Sequence, residues 1–242
     1  MQTGKGWGMV LGPGESVAGP WRVERLDVLA RSLVDAAGDP PSRPRILAVD
    51  GRSGSGKTTL ADRLCQLLPG AAMVHTDDVA WAHSRFGWDD LMLPGILEPL
   101  HAGQDVHYQP PAWRPHGRSG YIDVSVDAST VIIEGVGASR HQVAHLLDVA
   151  IWVQSDLDGA RRRGVRRDIV DQGIDEAVAL QNWDDWAAEE VPFLLEDRPW
   201  ERADVIAATA PVLAHDPERE MVIAPPLRAA AASDVGGHRA SR

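Results

Sequence analysis

The sequence has little of several residue types, and each shortage excludes a class of protein. It contains a single cysteine, Cys65, so no intramolecular disulfide can form, and the simplest expectation is a reducing, cytoplasmic setting. No apolar run approaches the roughly 20 residues of a membrane-spanning helix, so we expect no membrane association. The one asparagine, Asn182, precedes Trp183, which excludes the Asn-Lys-x-Asp signature of GTPases.

The balance of charge is acidic. Across 242 residues, 24 lysines and arginines stand against 35 aspartates and glutamates, which gives a formal net charge of -11. A general nucleic-acid binder needs a basic surface to neutralise phosphates, so we expect no nucleic-acid partner. Hydrophobic residues make up 44% of the chain, enough for a packed core, and the length fits one large domain.

Short apolar segments alternate with helical patterns along the chain. Such segments are typical of parallel strands buried on both faces, and the alternation predicts an α/β fold. The first helical pattern runs from Trp21 to Ala37. We expect a three-layer α/β/α domain around a mostly parallel five-stranded sheet. The predicted strands are Ile46–Val49, Ala72–His75, Val131–Gly135, Val149–Val153 and Ala203–Ala207.

Both ends of the chain lack this periodicity. Residues 1–20 are rich in glycine and proline, and residues 216–242 contain many alanines and prolines. We therefore expect a flexible N-terminal arm over residues 1–20, a folded domain over 21–215, and a disordered tail over 216–242.

A glycine-rich loop follows the first predicted strand. Residues 51–58 read Gly-Arg-Ser-Gly-Ser-Gly-Lys-Thr and match the phosphate-binding pattern G-x-x-x-x-G-K-[ST] in full. Glycines let successive backbone N–H groups point at one anion, and the following helix directs its positive end at the phosphates. Lys57 brings a charge to the β- and γ-phosphates, and Thr58 offers a hydroxyl to Mg²⁺. The pattern predicts a P-loop NTPase-type fold with nucleotide contacts from Gly51, Ser53, Gly54, Ser55, Gly56, Lys57, Thr58 and Thr59.

The order of further motifs narrows the class. The chain is short for a helicase or an AAA-type motor, which favours a small kinase. Five landmarks resemble the uridine kinase branch of the P-loop kinases, which also includes phosphoribulokinase and pantothenate kinase. They span residues 45–173, and after the phosphate loop they are Asp77-Asp78, Pro110–Trp113, Val131–Gly135 and Arg161–Asp168. The resemblance implies an ATP-dependent phosphotransferase with Mg²⁺ and a small-molecule hydroxyl acceptor.

Two carboxylates are candidates for the reaction centre. Asp77 stands where that family keeps an aspartate at the end of the second strand. A carboxylate there can orient a substrate hydroxyl, accept its proton and contact Mg²⁺ through water, although it could instead cap the next helix. Glu134 ends a buried strand, where a charge needs a partner such as hydrated Mg²⁺, unless the strand end lies at the surface. We expect Thr58, Asp77 and Glu134 on the metal side, and Lys57 and Asp77 in catalysis.

Five arginines fall within the seven positions 161–167 of this acidic chain. The segment resembles the lid helix of these kinases, which implies a helical lid over about residues 158–173 whose arginines close over the nucleotide. Arginine suits this role because its planar, permanently charged fork binds phosphate oxygens. Arg163 and Arg167 share one helix face and are the catalytic candidates. The alternative is a solvated helix face paired with Asp168 and Asp171.

The acceptor side is predicted from the same resemblance. Uridine kinases carry a Pro-x-Tyr-Asp stretch where this chain has Trp113 in the tyrosine place and Arg114 in the aspartate place. Trp81, Trp88 and Trp113 could form a stacking slot for a flat ring, or could fill the core. His75, His83 and His116 show no metal-ligand spacing and are expected to be polar or core residues. The candidate substrate residues are Asp78, Trp81, Trp113, Arg114 and Arg118.

The expected function is transfer of the γ-phosphate of Mg-ATP to a hydroxyl of a nucleoside similar to uridine or cytidine. Another acceptor stays open, such as a nucleoside monophosphate, a vitamin precursor or an antibiotic, and Arg114 with Arg118 would favour an acidic one. A nucleotide-binding regulator without kinase activity is the alternative from a different class. The sequence leaves the oligomeric state open, a homo-oligomer included.

Overall fold

A seven-stranded sheet forms the centre of the domain in a computed structural model, which describes residues 9–209 and 213–227. The chain contributes β1 (Arg22–Arg25), β2 (Arg45–Gly51), β3 (Ala71–His75), β4 (Val106–Tyr108), β5 (Ile122–Val124), β6 (Thr130–Glu134), β7 (Val149–Gln154), β8 (Val205–Ala208) and β9 (Glu220–Ala224). The order across the large sheet is β1-β9-β8-β7-β2-β6-β3, and β4 pairs with β5 in a separate two-stranded sheet.

The five central strands run parallel, as the sequence predicts. Strand β2 lies between β6 and β7, and its residues are almost entirely buried because helices cover both faces. Strands β3 and β8 extend this group on either side. The carboxyl ends of parallel strands meet at one edge, which is where ligands of open α/β sheets bind.

Helices cover the sheet on both sides, so the three-layer arrangement is confirmed. They are α1 (Leu26–Ala37), α2 (Lys57–Leu67), α3 (Thr76–Ala80), α4 (Asp89–Met92), α5 (Glu98–His101), α6 (His141–Ala144), α7 (Leu157–Gln172) and α8 (Glu176–Asp197). One core cluster joins α1 and α2 to the sheet, and two others join the opposite face to α3–α6 and α8. None of these described helices is both long enough and apolar enough to cross a membrane.

The edge of the sheet beyond β8 contains two strands, β1 and β9, that the sequence analysis does not predict. The apolar periodicity predicts a helix from Trp21, but the chain is extended over β1 and becomes helical at Leu26. Pairing with β9 explains the difference, because a hydrogen-bonded partner outweighs local helical spacing. Strand β9 is antiparallel to both of its neighbours, so two further strands flank the five predicted ones.

The expectation of a disordered tail over residues 216–242 is wrong for the strand it contains. Met221, Val222, Ile223 and Ala224 are buried in the sheet and its cores. The segment lacks helical spacing because it is a short strand, and its apolar run is only four residues long between charged and proline-rich stretches. Residues 228–242 lie outside the described part of the chain.

The expectation of a flexible arm over residues 1–20 is wrong for its second half. The side chain of Glu15 is buried and accepts hydrogen bonds from Arg52 Nε at 3.2 Å and from the indole of Trp152 at 2.7 Å. The Ala18 N–H donates to the side chain of Gln154. Tertiary contacts therefore hold a segment without secondary structure. We call residues 10–18 the strap, and residues 1–8 lie outside the described range.

Removing the tail tests this correction. We expect a chain that ends at Asp216 to lose on the order of 5 kcal/mol of folding free energy, because four buried side chains of β9 disappear and β1 loses its partner. Thermal unfolding followed by circular dichroism is the measurement. A chain that ends at Leu227 is the matched control and should melt like the full chain. Equal melting temperatures for the two truncations would show that β9 contributes little to stability.

Candidate active site

The phosphate loop connects β2 to α2 at the carboxyl edge of the sheet. Gly54 and Gly56 have φ values of 69° and 94°, a region that favours glycine. A Cβ on Gly54 would lie 2.2 Å from the carbonyl oxygen of Ala160, so helix α7 packs on the loop without room for a side chain. Within the described residues, no hydrogen bond engages the N–H of Gly54 or Gly56. These groups are therefore available to an anion.

The other predicted loop contacts have different surroundings. The N–H of Ser53 already donates to Glu190, and the N–H of Ser55 donates to the Arg52 carbonyl. The hydroxyl of Ser55 is buried without a partner among the described residues. Gly51 is buried at the end of β2, while Thr58 and Thr59 are exposed in the first turn of α2. The start of the loop is therefore buried, whereas its end at Thr58 and Thr59 is accessible.

Glu134 joins the loop to the neighbouring strands. Its Oε1 accepts a hydrogen bond from Thr58 Oγ1 at 2.9 Å and lies 3.9 Å from Lys57 Nζ. Its Oε2 lies 2.7 Å from His75 Nδ1. Glu134 is 4% exposed. The structure thus brings together three residues that sequence analysis assigned to phosphate and metal binding.

The charges in this cluster stabilise one another. Burial alone would raise the pKa of the Glu134 carboxyl. The hydrogen bond from His75, the charge of Lys57 and the hydrogen bond from Thr58 outweigh burial and hold the Glu134 pKa below its ordinary value. The hydrogen bond to Glu134 in turn raises the pKa of His75 against the opposing effect of burial. The cluster therefore holds an ionised carboxylate beside the phosphate loop.

Asp77 and Asp78 lie in the first turn of α3, directly after β3. In the pairing of β3 with β6, His75 lies opposite Glu134. The two aspartates therefore follow His75, a member of the Glu134 cluster, by two and three residues in the chain. Asp77 is exposed, and no described residue forms a hydrogen bond or ion pair with its carboxylate. Asp78 is instead ion-paired with Arg118. The two neighbours therefore have different surroundings, and of the two carboxylates only that of Asp77 is unpaired among the described residues.

Arg118 and two tryptophans form a wall beside α3. The guanidinium of Arg118 lies 3.7 Å from the ring centroid of Trp113 and 5.6 Å from that of Trp81. The indole N–H of Trp113 donates to the Asp78 carbonyl at 2.8 Å. Trp113 is 3% exposed, whereas Trp81 is 37% exposed. Trp81 is therefore the aromatic surface that this wall offers to a ring.

Trp88 and Arg114 do not take part in that wall. Trp88 is 1% exposed within the core cluster, so the expectation that it lines a stacking slot is wrong. Large aromatic side chains are used for core packing as readily as for ligand contact, and sequence alone does not distinguish these uses. Arg114 begins a short 3-10 helix, Arg114–His116, and its side chain is exposed without an ion pair among the described residues.

The predicted lid is helix α7, and its arginines point in different directions. Arg163 Nε donates to the Gly54 carbonyl at 2.9 Å, which places this guanidinium at the phosphate loop. Arg167 donates to the adjacent Asp168 instead. The helix packs on α8 where Trp183 covers Gly164, since a Cβ there would lie 2.1 Å from the indole. Only Arg163 of the two candidate arginines contacts the loop.

A cavity of about 540 Å³ opens between the loop, helix α7 and the chain after β8. Sequence analysis did not predict it, because its walls come from segments far apart in the chain and no motif marks them. Thr209 lines the cavity, and its hydroxyl donates a hydrogen bond to the Ser55 carbonyl. Its other walls include Thr59, Arg163, Leu213, His215, Pro217 and Met221.

His75 and Glu190 are two further site residues that the sequence analysis did not assign. His75 was expected to be an ordinary polar or core residue, yet it contacts Glu134 directly. The available signal was its position at a strand end, two residues before Asp77. No sequence signal marks Glu190, which reaches the loop from a helix about 140 residues further along the chain.

The parallel sheet and the phosphate loop between β2 and α2 define the class as a P-loop NTPase-type fold. No protein-family model matches the sequence. A solved structure from Silicibacter sp. TM1040, assigned as a fructose transport system kinase, has the same fold with a TM-score of 0.54. That match covers 70% of this chain and 94% of the other at 19% identity.

Curated relatives narrow the class further. A chloroplastic uridine/cytidine kinase of Arabidopsis thaliana is 29% identical over 183 residues, which is 66% of this chain and 37% of the relative. A uridine kinase of Saccharomyces cerevisiae is 29% identical over 166 residues, 60% of this chain and 33% of the relative. The matches thus span only about a third of these two relatives. The chain is thus similar to these uridine kinases over 60% to 66% of its own length.

Proposed function

We propose that the protein transfers the γ-phosphate of Mg-ATP to a hydroxyl group of a neutral nucleoside similar to uridine or cytidine. The observation that carries the proposal is the arrangement at the edge of the sheet. The phosphate loop follows β2 and the unpaired Asp77 follows β3, and these two strands lie on either side of β6, which ends at Glu134. The names of the curated relatives support the same acceptor class.

The phosphate side would bind and orient the triphosphate. The free N–H groups of Gly54 and Gly56 and the positive end of α2 favour an anion. Lys57 would neutralise charge on the transferring phosphoryl group, and Arg163 is close enough to the loop to do so from the lid. The cavity beside Thr209 is large enough to take the base of the nucleotide.

Thr58 and Glu134 would hold the magnesium ion. Their oxygens lie 2.9 Å apart and supply the hard donors that Mg²⁺ takes from proteins, with phosphate and water completing its shell. When bound, the ion would neutralise charge on the β- and γ-phosphates. Asp77 would orient the acceptor hydroxyl and accept its proton.

The residues beside α3 that would contact the acceptor favour a neutral substrate. The charge of Arg118 is already compensated by Asp78 and shielded by the face of Trp113, so little of it is left for an acidic acceptor. Trp81 would stack on the acceptor's ring. Arg114 favours the second candidate, a nucleoside monophosphate, because its exposed guanidinium has no ion pair among the described residues.

The test is ADP release from Mg-ATP with a panel of acceptors, measured by a coupled assay and confirmed by mass of the product. We expect turnover with uridine or cytidine and much slower turnover with UMP or CMP. The Lys57→Ala variant serves as the inactive control. Turnover only with the monophosphates would favour the second candidate. ADP release that no acceptor stimulates would instead support a nucleotide-binding regulator.

A further inference from the structure

Three consecutive residues of the phosphate loop are each held by a different part of the chain. Arg52 is paired with Glu15 of the strap, and both side chains are at most 2% exposed. The N–H of Ser53 donates to Glu190 Oε1 at 2.7 Å. The carbonyl of Gly54 accepts from Arg163 of the lid helix at 2.9 Å. The first half of the loop is thus fixed from outside, whereas the N–H groups of Gly54 and Gly56 have no partner among the described residues.

Glu190 is an unusual residue to find at this position. It is 3% exposed on a helix with many exposed acidic side chains, and it lies against a loop that must bind an anion. Its Oε1 accepts two N–H donors, the second from Trp186 at 3.1 Å one helical turn earlier. A buried carboxylate is costly unless such donors compensate it, and here the Ser53 N–H and the Trp186 indole N–H do so.

The same helix also contacts the lid. Trp183 lies two turns before Glu190, on the same side of α8, and packs against Gly164 of α7. One rigid helix therefore contacts the lid helix with one residue and the phosphate loop with another. A shift of α8 would change the position of Ser53 and of the lid together.

We propose that Glu190 is a positioning residue that sets the conformation of the phosphate loop for the triphosphate, through its hydrogen bond to the Ser53 N–H. The inference rests on the proposed function, since it assumes that the loop binds ATP. Its role depends on reach and on an acceptor oxygen, and its negative charge is not required. Without this bond, the Arg52–Ser53 peptide would be held only at the Arg52 carbonyl by the Ser55 N–H, and the adjacent N–H of Gly54 would be less well oriented.

Three substitutions of Glu190 separate these requirements. Glu190→Gln keeps the length and an acceptor oxygen but removes the charge, and we expect the Kd of Mg-ATP to stay within about threefold of wild type. Glu190→Asp keeps the charge but is one methylene too short to reach Ser53, and we expect its Kd to rise about tenfold, as in Glu190→Ala. Isothermal titration with Mg-ATP in the absence of acceptor gives the Kd values. The KM for the acceptor should change little in all three variants.

Glu189→Ala is the matched control, because this neighbouring glutamate is exposed and pairs at the surface with Arg85. Melting temperatures show whether a loss of affinity merely follows a loss of folding. The proposal is overturned if Glu190→Gln binds Mg-ATP as weakly as Glu190→Ala, or if all folded variants bind like wild type. Failure of the wild-type protein to bind Mg-ATP would instead contradict the proposed function, so the two failures are distinguishable.

Discussion

Lys57→Ala should lower kcat by about a thousandfold, because it removes the cation aimed at the transferring phosphoryl group. The structure adds a second reason. Lys57 is one of the groups that hold down the pKa of Glu134, so its removal weakens the ionised carboxylate expected at the metal side. The fold should survive, since Glu134 keeps its hydrogen bonds to Thr58 and His75. Steady-state kinetics with the best acceptor, together with thermal unfolding, provide the measurement.

Lys57→Arg is the informative companion to this variant. It keeps a positive charge but replaces a compact ammonium by a planar fork that the narrow loop does not fit. We expect it to recover only a small part of the lost rate while restoring much of the Mg-ATP affinity. A catalytic rate near that of wild type in Lys57→Ala would contradict the assignment of the phosphate loop.

Asp77→Asn should lower kcat by roughly a hundredfold or more, with the Kd of Mg-ATP nearly unchanged. The amide keeps the size of the side chain and one acceptor oxygen, so it can still orient a hydroxyl, but it cannot take the proton. No described residue depends on the Asp77 carboxylate for a hydrogen bond, so the folded state should be as stable as before. Rapid-quench measurement of the first turnover would show that the chemical step itself is slowed.

Asp78→Asn is the control next to it, with the opposite pattern expected. This change breaks the ion pair with Arg118 and releases that guanidinium from its place over Trp113. We expect a higher KM for the acceptor and a lower melting temperature, with a smaller loss of kcat. If rapid-quench experiments showed a slow chemical step in Asp78→Asn and a normal one in Asp77→Asn, the assignment of the catalytic role to Asp77 would be wrong.

The central part of the fold was predictable because its signals are local. Each of the five parallel strands is a short apolar run, and the phosphate loop is a contiguous motif. The strap and β9 were not predictable in the same way. The strap is held by single side chains such as Glu15, and nothing local to that residue shows that Arg52 will be its partner. β9 is recognisable as a strand only once a sheet edge is known to need a partner.

The site residues also divide into those with a local sequence signal and those that depend on contacts between distant segments. Lys57, Thr58 and Glu134 follow from a motif and a strand end, and the structure brings them together. Asp77 follows the end of the next strand, and its carboxylate is unpaired among the described residues. The burial of the tryptophans could not be predicted from the sequence, because it depends on which elements pack against each other in the folded chain. The base cavity and Glu190 depend on contacts between distant segments, which periodicity and spacing do not encode.

The arrangement of β1 and β9 has a consequence for how the chain is made. These strands pair although Arg22 and its partner Ile223 lie about two hundred residues apart in sequence. A ribosome delivers the first strand long before the second, so β1 has no hydrogen-bonding partner during nearly all of synthesis. Contacts of such long range close late, because a large loop must be ordered first. The five parallel strands can therefore assemble while the chain is still growing, whereas the far edge of the sheet is completed only after β9 has emerged.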